Sequence, residues 1–188
     1  MELFKTYYNY VNNPTQALRE LFEQRGFGMA FWGYFVAALS WVLFFNTGDG
    51  LSAPAFLLKL FILFAAEITL GYIAAAFCSL FLDLFKVKNS AAGLFIMVGM
   101  SGFIKGLLIA FALISAAFPF AKLGYLFWLA LLFVWSIQLG FLTRNVMRAY
   151  NAHGGKAFVA WVFTAFPLMA GLVLLGVFFI WGIALLVA

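Results

Sequence analysis

The chain reads as an all-α, polytopic transmembrane bundle of five spans, with its N-terminus cytoplasmic, its C-terminus outside and a short amphipathic interfacial helix ahead of the first span. Three observations predict this. Long apolar stretches begin near Gly28, Pro54, Ala91, Leu123 and Phe158; a helix rising ~1.5 Å per residue needs ~20 apolar residues to cross ~30 Å of hydrocarbon. Charge is scarce and sorted, the 11 Lys and Arg and 6 Asp and Glu falling mostly in the gaps or before the first stretch. Finally, 67% hydrophobic and 9% charged residues cannot clothe a 188-residue globule in water, where about a quarter charged is usual.

The same composition argues against a nucleic-acid-binding protein, because little of the chain is left to build a basic face in water. The net charge of +5 is better matched to anionic headgroups. The 26 Phe suit a wall facing acyl chains, and Trp32, Trp41, Trp128, Trp135, Trp161 and Trp181 fall mostly where a helix meets the headgroup layer.

Residues 1–26 form the first unit. Glu2, Lys5, Arg19, Glu20, Glu23 and Arg25 give it the wrong pattern for a cleavable signal, which needs a basic tip followed by an apolar core. Asn13 caps a helix, Pro14 takes its first position and Gln16 reaches back to the cap. Leu18, Leu21 and Phe22 then share one face, Arg19, Glu20 and Glu23 lie away from it, and Gly26 closes the end. This helix lies in the headgroup layer, caps the bundle from below or, as a third reading, offers a surface to a soluble partner.

Residues 27–188 form one domain with spans at about 28–46, 55–82, 91–117, 123–143 and 158–187. Its orientation follows from the basic residues. Lys5, Arg19 and Arg25 precede the first span, Lys86 and Lys88 lie between the second and third, and Arg144, Arg148 and Lys156 lie between the fourth and fifth. The alternate loops hold Asp49 without a base and Lys122, while Lys59 snorkels outward from the second span. The basic loops are therefore cytoplasmic, and Lys86, Lys88, Arg144, Arg148 and Lys156 make an anionic-lipid face.

Two charges cannot reach water easily. Glu67 precedes Asp83 by 16 residues and Lys105 follows Ser90 by 15, so both lie about 22–24 Å from the cytoplasmic boundary. Either one alone in lipid costs at least about 2.5–3.5 kcal/mol, and the spacing predicts that they pair. Gly71 and Ala75 on the second span and the Gly102, Gly106 spacing on the third let the two helices approach, and Ser101 and Thr69 complete the hydrogen bonding. Such a pair serves either as a register lock or as a site for an ion, a proton or a zwitterion. Gln138 and Ser136 add polarity nearer the cytoplasmic face, and Pro167 kinks the fifth span.

No chemistry announces itself. Cys78 has no partner cysteine and reads as packing, and His153 reads as a loop residue without the companions a metal site needs. His153-Gly154-Gly155-Lys156 lacks the spacing of a phosphate loop, and no nucleophile elbow, zinc-protease motif or paired carboxylates occur. The expectation is therefore no catalytic, cofactor-binding or metal-binding residues and no cofactor.

Several motifs resemble the bacterial branch of the Yip1 family. They are Asn13-Pro14-Thr15-Gln16-Ala17 before the first span, Gly71-Tyr72 in the second and Met100-Ser101-Gly102-Phe103 in the third. Trp135 with Leu139-Gly140 and the run Arg148-Ala149-Tyr150-Asn151-Ala152-His153-Gly154-Gly155-Lys156-Ala157 complete the set, so the resemblance covers almost the whole chain. It implies five spans, a cytoplasmic N-terminus and a non-enzymatic protein of the bacterial inner membrane, acting as an adaptor, scaffold or accessory subunit of a complex such as an ABC-type exporter. The Asp-Leu-x-Gly-Pro element and long N-terminal region of eukaryotic members are missing, so their role with Rab GTPases is not carried over. Lys105-Gly106 also stands near where relatives often place a proline. The alternative, from the residues alone, is a small transporter or ion pathway using Glu67 and Lys105, in either case with the bilayer, a membrane partner or a second copy as its company.

Overall fold

The computed structural model describes residues 8–9, 12, 26–46, 52–117 and 124–167, and within these the regular structure is helical. Helix α1 runs Phe27–Phe45 and α2 runs Ala53–Leu84. Helix α3, Ala91–Ser101, passes through a 3₁₀ turn at Gly102–Gly106 into α4, Leu107–Ala117. Helix α5 covers Gly124–Tyr150, and residues 154–167 form a further helical stretch, α6. Four of the resulting segments are long and apolar enough to cross a membrane: α1, α2, the continuous Ala91–Ala117 and Trp128–Tyr150. This is an integral membrane architecture. The expected interfacial helix at residues 13–25 lies outside the described residues, as does most of the expected fifth span, 158–187.

Two boundaries differ from the sequence expectation. Arg144 and Arg148 do not sit in a loop after residue 143, because α5 continues to Tyr150 and holds both arginines in its last two turns. The next helix starts at residue 154, four residues earlier than expected. Both differences arise because long basic side chains extend from a helix toward the interface without ending it.

The helix ends explain how the bundle is pinned. Ser52 precedes α2 in an extended conformation with Pro54 in the first turn, where a missing N–H costs nothing. At the other end Val87 N–H bonds to Leu82 C=O and Lys86 N–H to Asp83 C=O, each at 2.9 Å. This pattern is a Schellman closure, which requires a left-handed residue; Lys86 supplies it with φ 58°. Asn89 then ties the turn to α2 by accepting from Ser79 Oγ at 2.7 Å and donating to Asp83 Oδ1 at 2.7 Å, and Ser90 Oγ caps α3 through Gly93 N–H.

Helices α1 and α3 run parallel and α2 runs antiparallel to both. Phe27 contacts Phe95 near the start of α1 and α3, and Trp41 meets Lys105 farther along. Across to α2, Tyr34 lies over Gly71 and Asn46 accepts from Lys59 Nζ. One end of the bundle therefore gathers the start of α1, the 85–90 turn, the end of α5 and the start of α6. Tyr150 Oη donates to Ser90 C=O and Lys156 Nζ to Phe85 C=O, both at 3.2 Å, which locks these pieces together. Lys86, Lys88, Arg148 and Lys156 make this the basic end.

The core is split along the bundle axis. Toward the basic end Met29, Tyr34, Cys78, Leu82, Leu94, Met97, Val146 and Trp161 pack together; toward the far end Phe44, Ile104, Leu108, Ala130 and Val134 form a second cluster. Helix α1 is the hub, touching α2, α3, the 3₁₀ turn and α4. Helix α2 is the opposite case, with 17% of its apolar stretch buried against 56% for Ala91–Ala117. Leu57, Leu58, Phe61, Ile62, Tyr72 and Leu80 all point outward, a surface that only hydrocarbon or another apolar helix would stabilise.

A candidate intramembrane charged site

The site starts from glycine. A Cβ on Gly33 of α1 would fall on the Gly99 carbonyl of α3, and one on Gly102 would fall on the Gly33 carbonyl, so the α1 and α3 backbones touch through these three residues. That is the close approach small residues permit in a membrane, where van der Waals packing replaces the hydrophobic drive. The 3₁₀ turn begins at this contact. In 3₁₀ geometry residues i and i+3 eclipse, so Gly102 and Lys105 lie along one edge, and the edge that Gly102 presses onto α1 carries Lys105 to the same side.

There Lys105 Nζ bonds to Glu67 Oε1 at 2.7 Å and Oε2 at 2.9 Å. Trp41, two turns beyond Gly33 on α1, donates its indole N–H to Glu67 Oε1 at 2.7 Å, and its ring lies 5.6 Å from the ammonium. Three helices thus each supply one member. The carboxylate is bound by two donors, while the cation holds both carboxylate oxygens and a π face. Each charged side chain keeps 13% exposure, so the pair borders the bundle surface and is not sealed in its centre. Along α2, Glu67 is eight residues from Lys59, about 12 Å, and Lys59 marks the far end through Asn46.

Next toward the basic end, Tyr34 donates its hydroxyl to Phe95 C=O at 3.0 Å while lying directly on Gly71, where a Cβ would overlap the phenol. Gly71 therefore makes room for a tyrosine of α1. Ala75 is buried in the same cluster. A second polar link joins α5 to α3: Gln138 Nε2 donates to Ser101 Oγ at 2.8 Å, and Ser101 Oγ to Val98 C=O at 2.6 Å.

The structure brings Glu67 and Lys105 together but assigns their helpers differently. Ser101 serves Gln138, and Thr69 bonds its own helix at Ala65 C=O, so neither reaches the pair. Gly102 opens the α1–α3 contact instead of an α2–α3 one, and Gly106 meets only Val36, 3.6 Å away. The reason is topological: α2 packs against α3 itself, but the 3₁₀ turn that carries Gly102 packs against α1. Trp41, read from sequence only as a belt residue, was the missing partner. Its signal was depth, since Trp41 and Lys105 each stand 14 residues from the start of their helices, and a buried indole N–H seeks an acceptor. Gly33 was marked by its Gly33-x-x-x-Ala37 spacing.

At the basic end, Lys86, Lys88, Arg144, Arg148 and Lys156 are exposed. Arg148 donates to Asn12 C=O at 3.2 Å and Lys156 to Phe85 C=O. Cys78 is buried and free. His153 Nδ1 accepts from Gly155 N–H at 3.2 Å, a turn contact. No group of three His, Cys, Asp or Glu side chains suited to a metal occurs among the described residues.

Fold and site together define an all-helical membrane protein with a charged pair braced by an indole within its spans. Comparison with family models, with curated proteins and with solved structures finds no match.

Proposed function

We propose that this chain is a non-enzymatic protein of the bacterial inner membrane, acting as an adaptor or accessory subunit of a larger membrane complex. The Yip1-like motifs point to the same role, with five spans, a cytoplasmic basic end, an interfacial helix at residues 13–25 and an ABC-type exporter as the kind of complex served. The observation that carries the reading is how the charges are used. Glu67, Lys105 and Trp41 satisfy one another across α1, α2 and the 3₁₀ turn, which braces the bundle, and the outward side of α2 is exposed among the described residues. A partner's transmembrane helix would find Ala65, Thr69 and Ala76 there, small enough for close approach. Crosslinking in native membranes at native expression, followed by purification through an N-terminal tag, tests this: one stoichiometric membrane partner supports it, and a clean monomer or homo-oligomer sinks it.

One observation favours a second reading, a small transporter or ion pathway. The pair borders the surface about 12 Å from the Lys59 level, where a solute could reach it from the far side. Flux measured in proteoliposomes would decide. Under this reading Glu67→Gln with Lys105→Met abolishes flux in a folded protein; under the adaptor reading no flux depends on it.

A further inference from the structure

The outward face of α2 carries a regular seam. Leu58, Ile62, Ala65, Thr69, Tyr72 and Ala76 recur at alternating steps of four and three residues, and all are exposed. A 3.5-residue repeat keeps one line of side chains facing a second helix as the two supercoil. A stable interface takes about 800 Å² from each partner. Leu58, Ile62, Tyr72 and Leu80, with Leu57 and Phe61 alongside, are each more than half exposed among the described residues and offer an area of that order.

Acyl chains would cover a wholly apolar face, but Tyr72 is not wholly apolar. It is 69% exposed, and its hydroxyl makes no hydrogen bond among the described residues. It lies 13 residues past Lys59 and 11 before Asp83, about 20 and 16 Å along the helix, so the hydroxyl reaches neither charged level. A tyrosine near the membrane surface satisfies its hydroxyl in the headgroup layer. At this depth hydrocarbon offers no partner, and an unpaired polar group is costly. The group that meets it is uncharged, because no charge lies on the seam between Lys59 and Asp83: Glu67 is turned to Lys105 and Trp41. A second copy fits poorly. Two copies share one orientation in the bilayer, so a two-fold axis would set the two Tyr72 rings against each other and hold Thr69 and Ala76 away from their counterparts. Within the adaptor reading, on which this rests, we propose that the outward face of α2 seats one transmembrane helix of the partner protein, and that this helix carries an uncharged hydrogen-bonding side chain, Asn, Gln, Ser or Thr, opposite Tyr72 in the middle of the bilayer.

Two measurements test it. In phosphatidylcholine vesicles, the full chain carrying a donor dye at Ser52→Cys is titrated with acceptor-labelled spanning peptides of Leu and Ala, one with Gln at its centre and one with Leu there. Energy transfer should show the Gln peptide binding about threefold more tightly, the scale of an interhelical hydrogen bond in a membrane. Tyr72→Phe, which deletes only an exposed hydroxyl, should abolish that preference and leave the affinity of the Leu peptide unchanged; a preference that survives Tyr72→Phe overturns the proposal. In native membranes, a photo-crosslinking residue in place of Tyr72 should capture the stoichiometric partner that copurifies with the chain, and one in place of Leu132, exposed on α5, should not. A second copy captured from position 72 would overturn the proposal. A partner captured from position 132 alone would overturn the seat on α2 and leave the adaptor reading standing, whereas no partner from either position would overturn both.

Discussion

Glu67 has two donors and Lys105 has one carboxylate and one ring, so removing single members has unequal consequences. Glu67→Gln strands an ammonium within the spans, and loss of one partner of a buried pair costs about 3 kcal/mol or more. Lys105→Met strands the carboxylate, which Trp41 then holds alone. Removing both charges together with Glu67→Gln and Lys105→Met should cost less than either single change, within about 1 kcal/mol of the original stability. Denaturant or steric-trap unfolding of the four proteins in one detergent gives the coupling; a double variant as unstable as the sum of the singles would contradict the brace. Trp41→Phe keeps the ring over Lys105 and deletes only the N–H, with an expected loss of about 1–2 kcal/mol. Trp41 also shows what residue-level reading could not reach. Its depth was countable, but whether its ring pointed to lipid or to Glu67 depended on how α1 was rotated about its axis.

Between elements, the two glycines of the 3₁₀ turn are alike in sequence and unlike in place. Gly102 touches the Gly33 backbone, whereas a Cβ on Gly106 meets Val36 at an ordinary contact distance. Gly102→Ala should therefore force α1 and α3 apart, lowering stability by about 2 kcal/mol and loosening Lys105 from Glu67, while Gly106→Ala should stay within about 0.5 kcal/mol of the original. Equal effects would show that the G-x-x-x-G spacing acts as one unit. The closure of α2 makes a separate prediction. Lys86 is held at φ 58°, a conformation costing a non-glycine residue about 1–2 kcal/mol; Lys86→Gly should stabilise the bundle by about 1 kcal/mol, read as a higher unfolding midpoint. The helices themselves were legible because apolar runs of this length have few alternatives. The 3₁₀ interruption was not, because nothing in Gly-Phe-Ile-Lys-Gly requires it until Gly102 is pressed against α1.

For the whole molecule, the basic end makes orientation measurable. Cys78 is buried, so the native chain is an unreactive background. On it, Ser52→Cys and Lys88→Cys place single exposed thiols at opposite ends of α2. A membrane-impermeant maleimide applied to intact cells should label Ser52→Cys readily and Lys88→Cys only after permeabilisation; the reverse pattern would invert the orientation drawn from the basic loops. The burial contrast also belongs at this scale. Among the described residues Ala37 of α1 is fully buried and Ala65 of α2 is exposed, so Ala37→Leu should damage folding, whereas Ala65→Leu should leave the monomer intact and report on association alone.

What the sequence determined by itself is what local composition and the bilayer dictate between them. Helices of spanning length, the gathering of Lys86, Lys88, Arg148 and Lys156 at one end, and the need of Glu67 and Lys105 for partners all follow from the cost of exposing backbone and charge to hydrocarbon. What only the tertiary structure decided is which faces meet. Apolar residues surround each helix, so no stripe marks an inner side as it would in a water-soluble bundle, and helix rotation was left to glycine contacts, to the tyrosine over Gly71 and to the indole on Glu67. Those contacts seat the 3₁₀ turn against α1 although α2 packs on α3, and the pairing of consecutive helices alone carries no physical weight for that third helix.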